Sequence, residues 1–449
     1  MSEQQVNVQS EFHRTLKLPH LVLFGLAYLA PMIVYGIYGI IQTETGGQES
    51  AAYLSALIAM IFTAISYTHM VKAYPIAGSA YTYVRKSMSS HLGFMVGWAV
   101  MLDYCFIPMA IWLIGAAFFT AAFPGTPAWM WVLGFIIVTT FINIIGVKIG
   151  AEVNVVMVIL QLIVIALFVV FSIDAVMRGM GTGTLISWSP FHNPHANFSM
   201  VLAGAAIACY SFLGFDAVST FVEEAVDPLK NIPRAIMLTT ILGGVIFVVA
   251  TYFTHLAHPA YNYKEVGNAA VEIAKAIAPV WFATVFLVGM IIAQFASGIS
   301  AQASGARLMY AMGRDGVLPK GFFGKLSKFN TPVNAILVTA VIALLALKLD
   351  VTTSTSFINF GAFTAFTFVN ISVIFHFFFK EGRRAGFDAI KFLIFPLIGT
   401  IADLYLLVHL DKSALTLGIS WAVIGFLYLI YLTKGFKVAP PEMGGSYHE

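Results

Sequence analysis

Two stretches decide how this chain is read: Gly25-Leu-Ala-Tyr-Leu-Ala-Pro31-Met-Ile-Val-Tyr35-Gly36-Ile-Tyr38-Gly39 and Cys209-Tyr210-Ser211-Phe212-Leu213-Gly214-Phe215-Asp216. Each lies inside an apolar run long enough to cross a bilayer, and each interrupts the helix that such a run would form. Pro31 removes a backbone donor and, with Gly36 and Gly39, breaks the first run in mid-membrane. Ser211, Gly214 and Asp216 do the same at similar depth in the second. In hydrocarbon, broken backbone is tolerated only where protein or a water-filled cavity satisfies the freed N–H and C=O groups. For either stretch alone a kink without function is the competing reading, because Gly and Pro are frequent in membrane helices.

Working outward, the runs between charge clusters number twelve: 18–41, 51–72, 91–123, 128–146, 152–176, 199–221, 235–257, 281–312, 333–349, 355–379, 390–409 and 413–434. Each approaches the roughly 20 apolar residues that a hydrocarbon core of about 30 Å requires. The composition agrees: 449 residues are 59% hydrophobic and 10% charged, too few charges to coat a water-facing surface of this mass, and soluble usage is about 25% charged. The expectation is an all-α integral membrane protein of twelve transmembrane helices. The polar start lacks the apolar core of a secretory signal, so span 1 is read as an anchor. Cys105 and Cys209 lie inside apolar runs and offer neither a disulfide framework nor a metal site. The net charge of +3 forms no basic stripe, so nucleic acid is not an expected partner.

Positive charge orients the spans, because short cytoplasmic loops collect Lys and Arg. With both termini inside, 19 of these residues fall on the inner segments and 5 on the outer. The broken spans 1 and 6 are five apart, an odd offset that reverses direction through the membrane. Spans 1–5 (18–176) and 6–10 (199–379) therefore read as inverted-topology repeats. Spans 11–12 (390–434) are peripheral, between cytoplasmic tails at 1–17 and 435–449. No residue-level identity links the halves. Broken helices in corresponding positions point to the binding site of a secondary transporter.

Three stretches carry a family likeness. Ser211-Phe-Leu-Gly-Phe-Asp216 through Glu223-Glu224-Ala-Val-Asp-Pro228 to Pro233-Arg234 resembles the sixth-helix signature of the amino acid-polyamine-organocation (APC) transporter superfamily. Ser304-Gly-Ala-Arg307 through Arg314-Asp315 to Pro319 resembles its stretch after the eighth helix, and Pro75-Ile-Ala-Gly78-Ser-Ala-Tyr81 its loop after the second. Within the superfamily, His91 through Trp98 to Leu102-Asp103-Tyr104, and Phe357 through Asn370, look most like bacterial putrescine importers. The resemblance implies a LeuT-type fold of ten core and two peripheral helices working by alternating access.

It also implies a substrate site at Val34, Tyr35 and Gly36, at Tyr210, Ser211 and Phe212, and at Asp103 with Tyr104 from span 3. Pro31, Gly39 and Gly214 are the expected breaks, with Asp216 as the cap of the second half-helix. One departure stands out: the putrescine importers align an aspartate where this chain has Gly36, whereas amino-acid carriers have small residues there that leave backbone N–H groups free for a carboxylate.

An ionisable group at membrane depth is a functional candidate by default, and Asp103, between Trp98 and Pro108, is the best case for pairing an ammonium. The competing reading is an acid satisfied by neighbouring hydroxyls. Glu223 and Glu224, near Lys230 and Arg234, read as an inner gate or as a solvated cluster. Ser297 and Ser300 of span 8 can offer oxygens to a hard cation or serve as small packing residues. Family members that place a lysine in the fifth helix find no counterpart in Ile159-Leu-Gln161-Leu-Ile here. The coupling ion is left as H+ or Na+, with no resident cofactor or metal.

The sequence thus predicts a permease of the bacterial inner membrane, monomeric or homodimeric, moving an amino acid or a biogenic amine such as putrescine. Its expected partners are a small amine-bearing solute and the lipid bilayer. An inorganic-cation symporter of the potassium type on the same fold is the alternative within transport, and a membrane sensor or enzyme the alternative outside it. No phosphate loop, hydrolase elbow or zinc-protease motif is present, so no enzyme is expected.

Overall fold

The computed structural model describes residues 14–123, 125–263, 266–348, 351–408, 410 and 412–441. Of the expected tails, 1–13 and 442–449 lie outside the described residues. Among those described the chain is helical, with one isolated bridge between Leu16 and Ala225. Eleven helices are long and apolar enough to cross a membrane: Leu18–Gly36, Glu49–Ala73, Ser90–Ala116, Ala128–Ile145, Val153–Met177, Phe198–Phe221, Pro228–Ala257, Val280–Arg314, Ile358–Lys380, Phe387–Val408 and Leu415–Leu432. The shorter Val333–Leu347 completes twelve, as span 9. Side chains such as Ile137, Phe141, Val170, Val341, Ile401 and Leu427 face outward and exposed, as a lipid-facing surface requires.

Neighbours repeat with an offset of five. Span 3 packs along span 10 as span 8 packs along span 5, and the matched pairs 2 with 7 and 3 with 8 lie against each other. Two helix starts are capped by side chains: Ser89 accepts from Leu92 N before span 3, and Asn197 from Met200 N before span 6. Span 8, at 35 residues, is about 50 Å long and overshoots the hydrocarbon core. Two further helices lie in the connections, Ser79–Ser87 after span 2 and Ala269–Ile277 between spans 7 and 8.

Both expected interruptions are present, and they differ in kind. Span 1 is helical over Leu18–Leu29, turns at Ala30 in the left-handed region (φ 49°), and resumes over Ile33–Gly36 and Tyr38–Thr45. Pro31 has no N–H to continue the ladder. Span 6 is α-helical over Phe198–Ala208 and then tightens into 3-10 turns, Cys209–Phe212 and Asp216–Phe221, either side of Gly214 at φ 113°. The breaks meet: a Cβ on Gly214 would overlap the ring of Tyr28. The N-terminal face of the bundle, where span 1 begins, also holds the end of span 6, since Leu16 N donates to Glu224 O and Val226 N to Leu16 O.

Candidate functional site

Between the breaks lies a cavity of about 20 Å³, room for one water molecule. Its walls come from four spans: Tyr28 and Ile33 of span 1, Ile107 and Ile111 of span 3, Tyr210 and Leu213 of span 6, and Gln294 with Ser297 of span 8. A cavity this small holds no solute, so in this conformation the two breaks are closed against each other.

Three polar atoms around it are left unpaired. The Tyr28 hydroxyl, Gln294 Nε2 and Asp103 Oδ1 are buried and make no hydrogen bond. Asp103 is 2% exposed and precedes Ile107 by one helical turn, so both lie on one face of span 3. It is within electrostatic reach of Tyr28 and Tyr210, which both line the cavity. Buried polar groups without partners are costly and rare in native proteins. Here three of them lie around the point where spans 1 and 6 are interrupted. A bare carboxylate oxygen accepts an ammonium N–H, and tyrosine rings face a cation favourably.

The residues expected at the site divide into those that reach the centre and those that do not. Tyr210 lines the cavity and Asp103 stands one turn from its wall. Tyr104 is turned from the cavity: its hydroxyl donates to Asp216 Oδ2 at 2.5 Å. Ser211 shares a hydrogen bond of 3.1 Å with the Tyr53 hydroxyl of span 2. Phe212 is fully buried edge-on against Phe247 of span 7. Val34, Tyr35 and Gly36 do not line this cavity: it lies at the Ala30–Met32 turn, and these three belong to the short helical turn between it and the second interruption at Ile37. Tyr35 instead stacks on Phe168 at 4.3 Å and meets Phe286 edge-on at 5.4 Å. Pro31 and Gly214 stand at the breaks. Gly39 is inside the helix Tyr38–Thr45, where a Cβ would overlap Val266 O and Ala269. Asp216 opens the second half of span 6, and its carboxylate takes the Tyr104 hydroxyl and, at 3.5 Å, that of Tyr67.

Residues 20–433 match the amino acid permease family. The chain belongs to that family. Among similar proteins, the low-affinity putrescine importer PlaP of Escherichia coli (strain K12) is 43% identical over 435 residues, 96% of each chain. The methylthioribose transporter of Bacillus subtilis (strain 168) is 27% identical over 445 residues, 94% of each chain. The branched-chain amino acid permease BcaP of the same organism is 23% identical over 452 residues, 96% of this chain and 95% of its own.

The permease closes its N-terminal face with buried ion pairs. Glu224 receives Arg307 through two bonds, 2.5 and 3.1 Å, and Arg307 also lies 4.1 Å from the centre of the Phe221 ring. Glu223 takes Arg314 at 3.0 Å and the backbone N–H of Ala77 at 2.9 Å. Burial raises the Glu224 carboxyl above its ordinary range while Arg307 draws it back. Both acids were expected to lie near Lys230 and Arg234; the partners are the span 8 arginines, which tie the end of span 6 to the end of span 8.

On the opposite face, Glu49 Oε1 accepts from Tyr38 at 2.9 Å and pairs with His255 Nδ1 at 2.8 Å, and His255 borders a second cavity of about 190 Å³. Nothing in the sequence marks His255, Glu49, Tyr28 or Gln294 as site residues. An acid at a span start and a glutamine in a long helix carry no pattern that marks them.

Ser297 and Ser300 face different partners. The Ser297 hydroxyl donates to Tyr28 O at 2.8 Å; that of Ser300 donates to Ala296 O and accepts from Asn154. Among the described residues no group of three or more His, Cys, Asp or Glu is arranged to hold a metal.

Proposed function

We propose that this permease is a secondary transporter of the bacterial inner membrane that imports a small diamine of the putrescine class by alternating access. The observation that carries the reading is the bare, buried Asp103 oxygen beside a cavity walled by Tyr28 and Tyr210. One ammonium of the ligand meets Asp103. The Tyr28 hydroxyl and the Gln294 amide, both unpaired, meet its second polar end. The 43% identity to a putrescine importer supports the same class of solute.

Gly36 does not line this cavity, so the reading does not depend on an acid at that position. Walls of Ile33, Ile107, Ile111 and Leu213 favour an organic ligand over a bare inorganic cation, which asks for oxygens on all sides. In the proposed cycle the buried pairs Glu224–Arg307 and Glu223–Arg314 form the inner gate, both termini are cytoplasmic, and the Tyr38–Glu49–His255 cluster lies at the outer mouth. Opening either face parts one of these clusters and enlarges the cavity.

A thermal-shift series on purified protein tests the substrate class, since a ligand bound only by the folded state stabilises it by about 2.7 kcal/mol at 100 times Kd. Putrescine and cadaverine are expected to raise the unfolding temperature where alanine and leucine do not. Stabilisation confined to compounds bearing both amine and carboxylate would overturn the diamine assignment.

A further inference from the structure

One acid has no role in the substrate site or the gates. Asp403 of span 11 is fully buried at membrane depth, and no Lys, Arg or His lies within 4.0 Å of it among the described residues. Its Oδ2 accepts from the Thr63 hydroxyl of span 2 at 3.0 Å and from Asn370 Nδ2 of span 10 at 2.8 Å. Its Oδ1 is buried and accepts nothing. The remaining titratable groups around it are accounted for. Cys209 at the span 6 break is in electrostatic reach, the Tyr67 hydroxyl is aimed at Asp216, and the His69 ring packs between Phe377 and Phe392. Span 11 approaches span 10 so closely that a Cβ on Gly399 would press on the Asn370 amide, which fixes that amide against the acid.

Among the other buried acids Glu224 has Arg307, Glu223 has Arg314 and Glu49 has His255. Asp103 precedes the cavity wall residue Ile107 by one turn, and Asp216, which also takes hydroxyls on Oδ2 and has a bare Oδ1, sits within the break of span 6 itself. Asp403 has only neutral donors, both on one oxygen, and a lone charge in that setting is too costly to leave uncompensated. A metal cation needs several oxygen lone pairs turned inward, whereas Thr63 and Asn370 point hydrogens at the carboxylate. The free Oδ1 has the chemistry of a proton-binding atom.

We propose that Asp403 is the proton-binding site that couples solute movement to the proton gradient, the proton being taken up on Oδ1 and released from it once per cycle. The inference rests on the transport reading above. Span 2 connects the acid to the substrate site: Tyr53 holds Ser211 at 3.1 Å, Thr63 holds Asp403, and Tyr67 reaches Asp216 at 3.5 Å. Loading or emptying Oδ1 alters the hold on the middle of a helix whose other hydroxyls grip both halves of the broken span 6.

The test is uptake of labelled putrescine into proteoliposomes with the membrane potential clamped to zero. At one proton per solute, an inward gradient of one pH unit supports about tenfold accumulation by wild type. Asp403→Asn is expected to show no accumulation above equilibrium while exchanging putrescine for putrescine at near wild-type rate, which also reports that it is folded, and Asp403→Glu to restore part of the accumulation. Accumulation by Asp403→Asn equal to wild type would overturn the proposal, as would accumulation by wild type that follows a sodium gradient and ignores pH. A substrate-independent readout separates this from failure of the diamine reading. In pH-difference infrared spectra the wild type is expected to show a protonated-carboxyl C=O band that Asp403→Asn lacks, whichever solute is carried; an unchanged band would count against Asp403.

Discussion

The two broken helices reach the same end by opposite means. Span 1 is interrupted at Ala30–Met32, by a proline and a left-handed alanine, and again at Ile37, and one outside bond reaches the first break, from Ser297 to Tyr28 O. Span 6 loses its α-helical ladder from Cys209 onward: Gly214 makes the turn, and other spans hold what flanks it. Tyr53 binds Ser211, Tyr104 binds Asp216, and Arg307 binds Glu224 at its end. A break encoded in the backbone is rigid; one held by side-chain hydrogen bonds from neighbours can be released by moving those neighbours. In the proposed transport cycle, that difference makes span 1 the fixed half of the site and span 6 the half that responds.

The comparison can be broken at Gly214. Its φ of 113° is strained for any residue with a Cβ, and that Cβ would overlap Tyr28. Gly214→Ala is expected to cost about 2–4 kcal/mol, the sum of overpacking and a left-handed backbone, read as the largest fall in unfolding temperature of the set with loss of uptake. Pro31→Ala, where the left-handed Ala30 already ends the helix, is expected to cost about 1 kcal/mol or less. Equal penalties at the two sites would erase the distinction.

Tyr104→Phe sharpens it, since Asp216 then loses its 2.5 Å donor. A hydrogen bond to a charged group contributes about 1.5–3 kcal/mol, and the variant is expected to slow turnover more than it weakens putrescine binding. The smallest effect is expected at Gly36→Ala, where an added Cβ would meet only the flexible tips of Ile33 and Met290 at 3.4 Å. Its stability should change by less than about 0.5 kcal/mol, with the order of preferred solutes unaltered in competition assays.

The same contrast explains what was legible in the sequence. Twelve spans could be counted because hydrocarbon thickness sets a length that apolar runs must meet, and Pro31 announces its break because ring chemistry is local. The break in span 6 was visible through Gly214, but its supports were not. Tyr53, Tyr104 and Arg307 come from spans 2, 3 and 8, and nothing along the chain relates a hydroxyl to a serine 158 residues away. The first break is legible at Pro31, and the helix is interrupted again at Ile37, beside Gly36. The cavity lies at the earlier of these turns, where Tyr28 carries no mark in the sequence. Gln294 and Asp403 are equally unmarked, because each is a single polar residue in an apolar helix and only packing shows that its atoms lack partners.

Asp103 carries the central claim, and uptake by Asp103→Asn and Asp103→Glu measured beside wild type tests it most directly. The exchange of carboxylate for amide keeps the volume of the side chain and removes the charge that receives the ammonium. A drop in putrescine affinity of at least about a hundredfold is expected for Asp103→Asn, the loss of about 3 kcal/mol from a charge-assisted contact, with partial recovery in Asp103→Glu and an unfolding temperature within a few degrees of wild type. Wild-type affinity in a folded Asp103→Asn protein would contradict the account and move the amine to another part of the bundle.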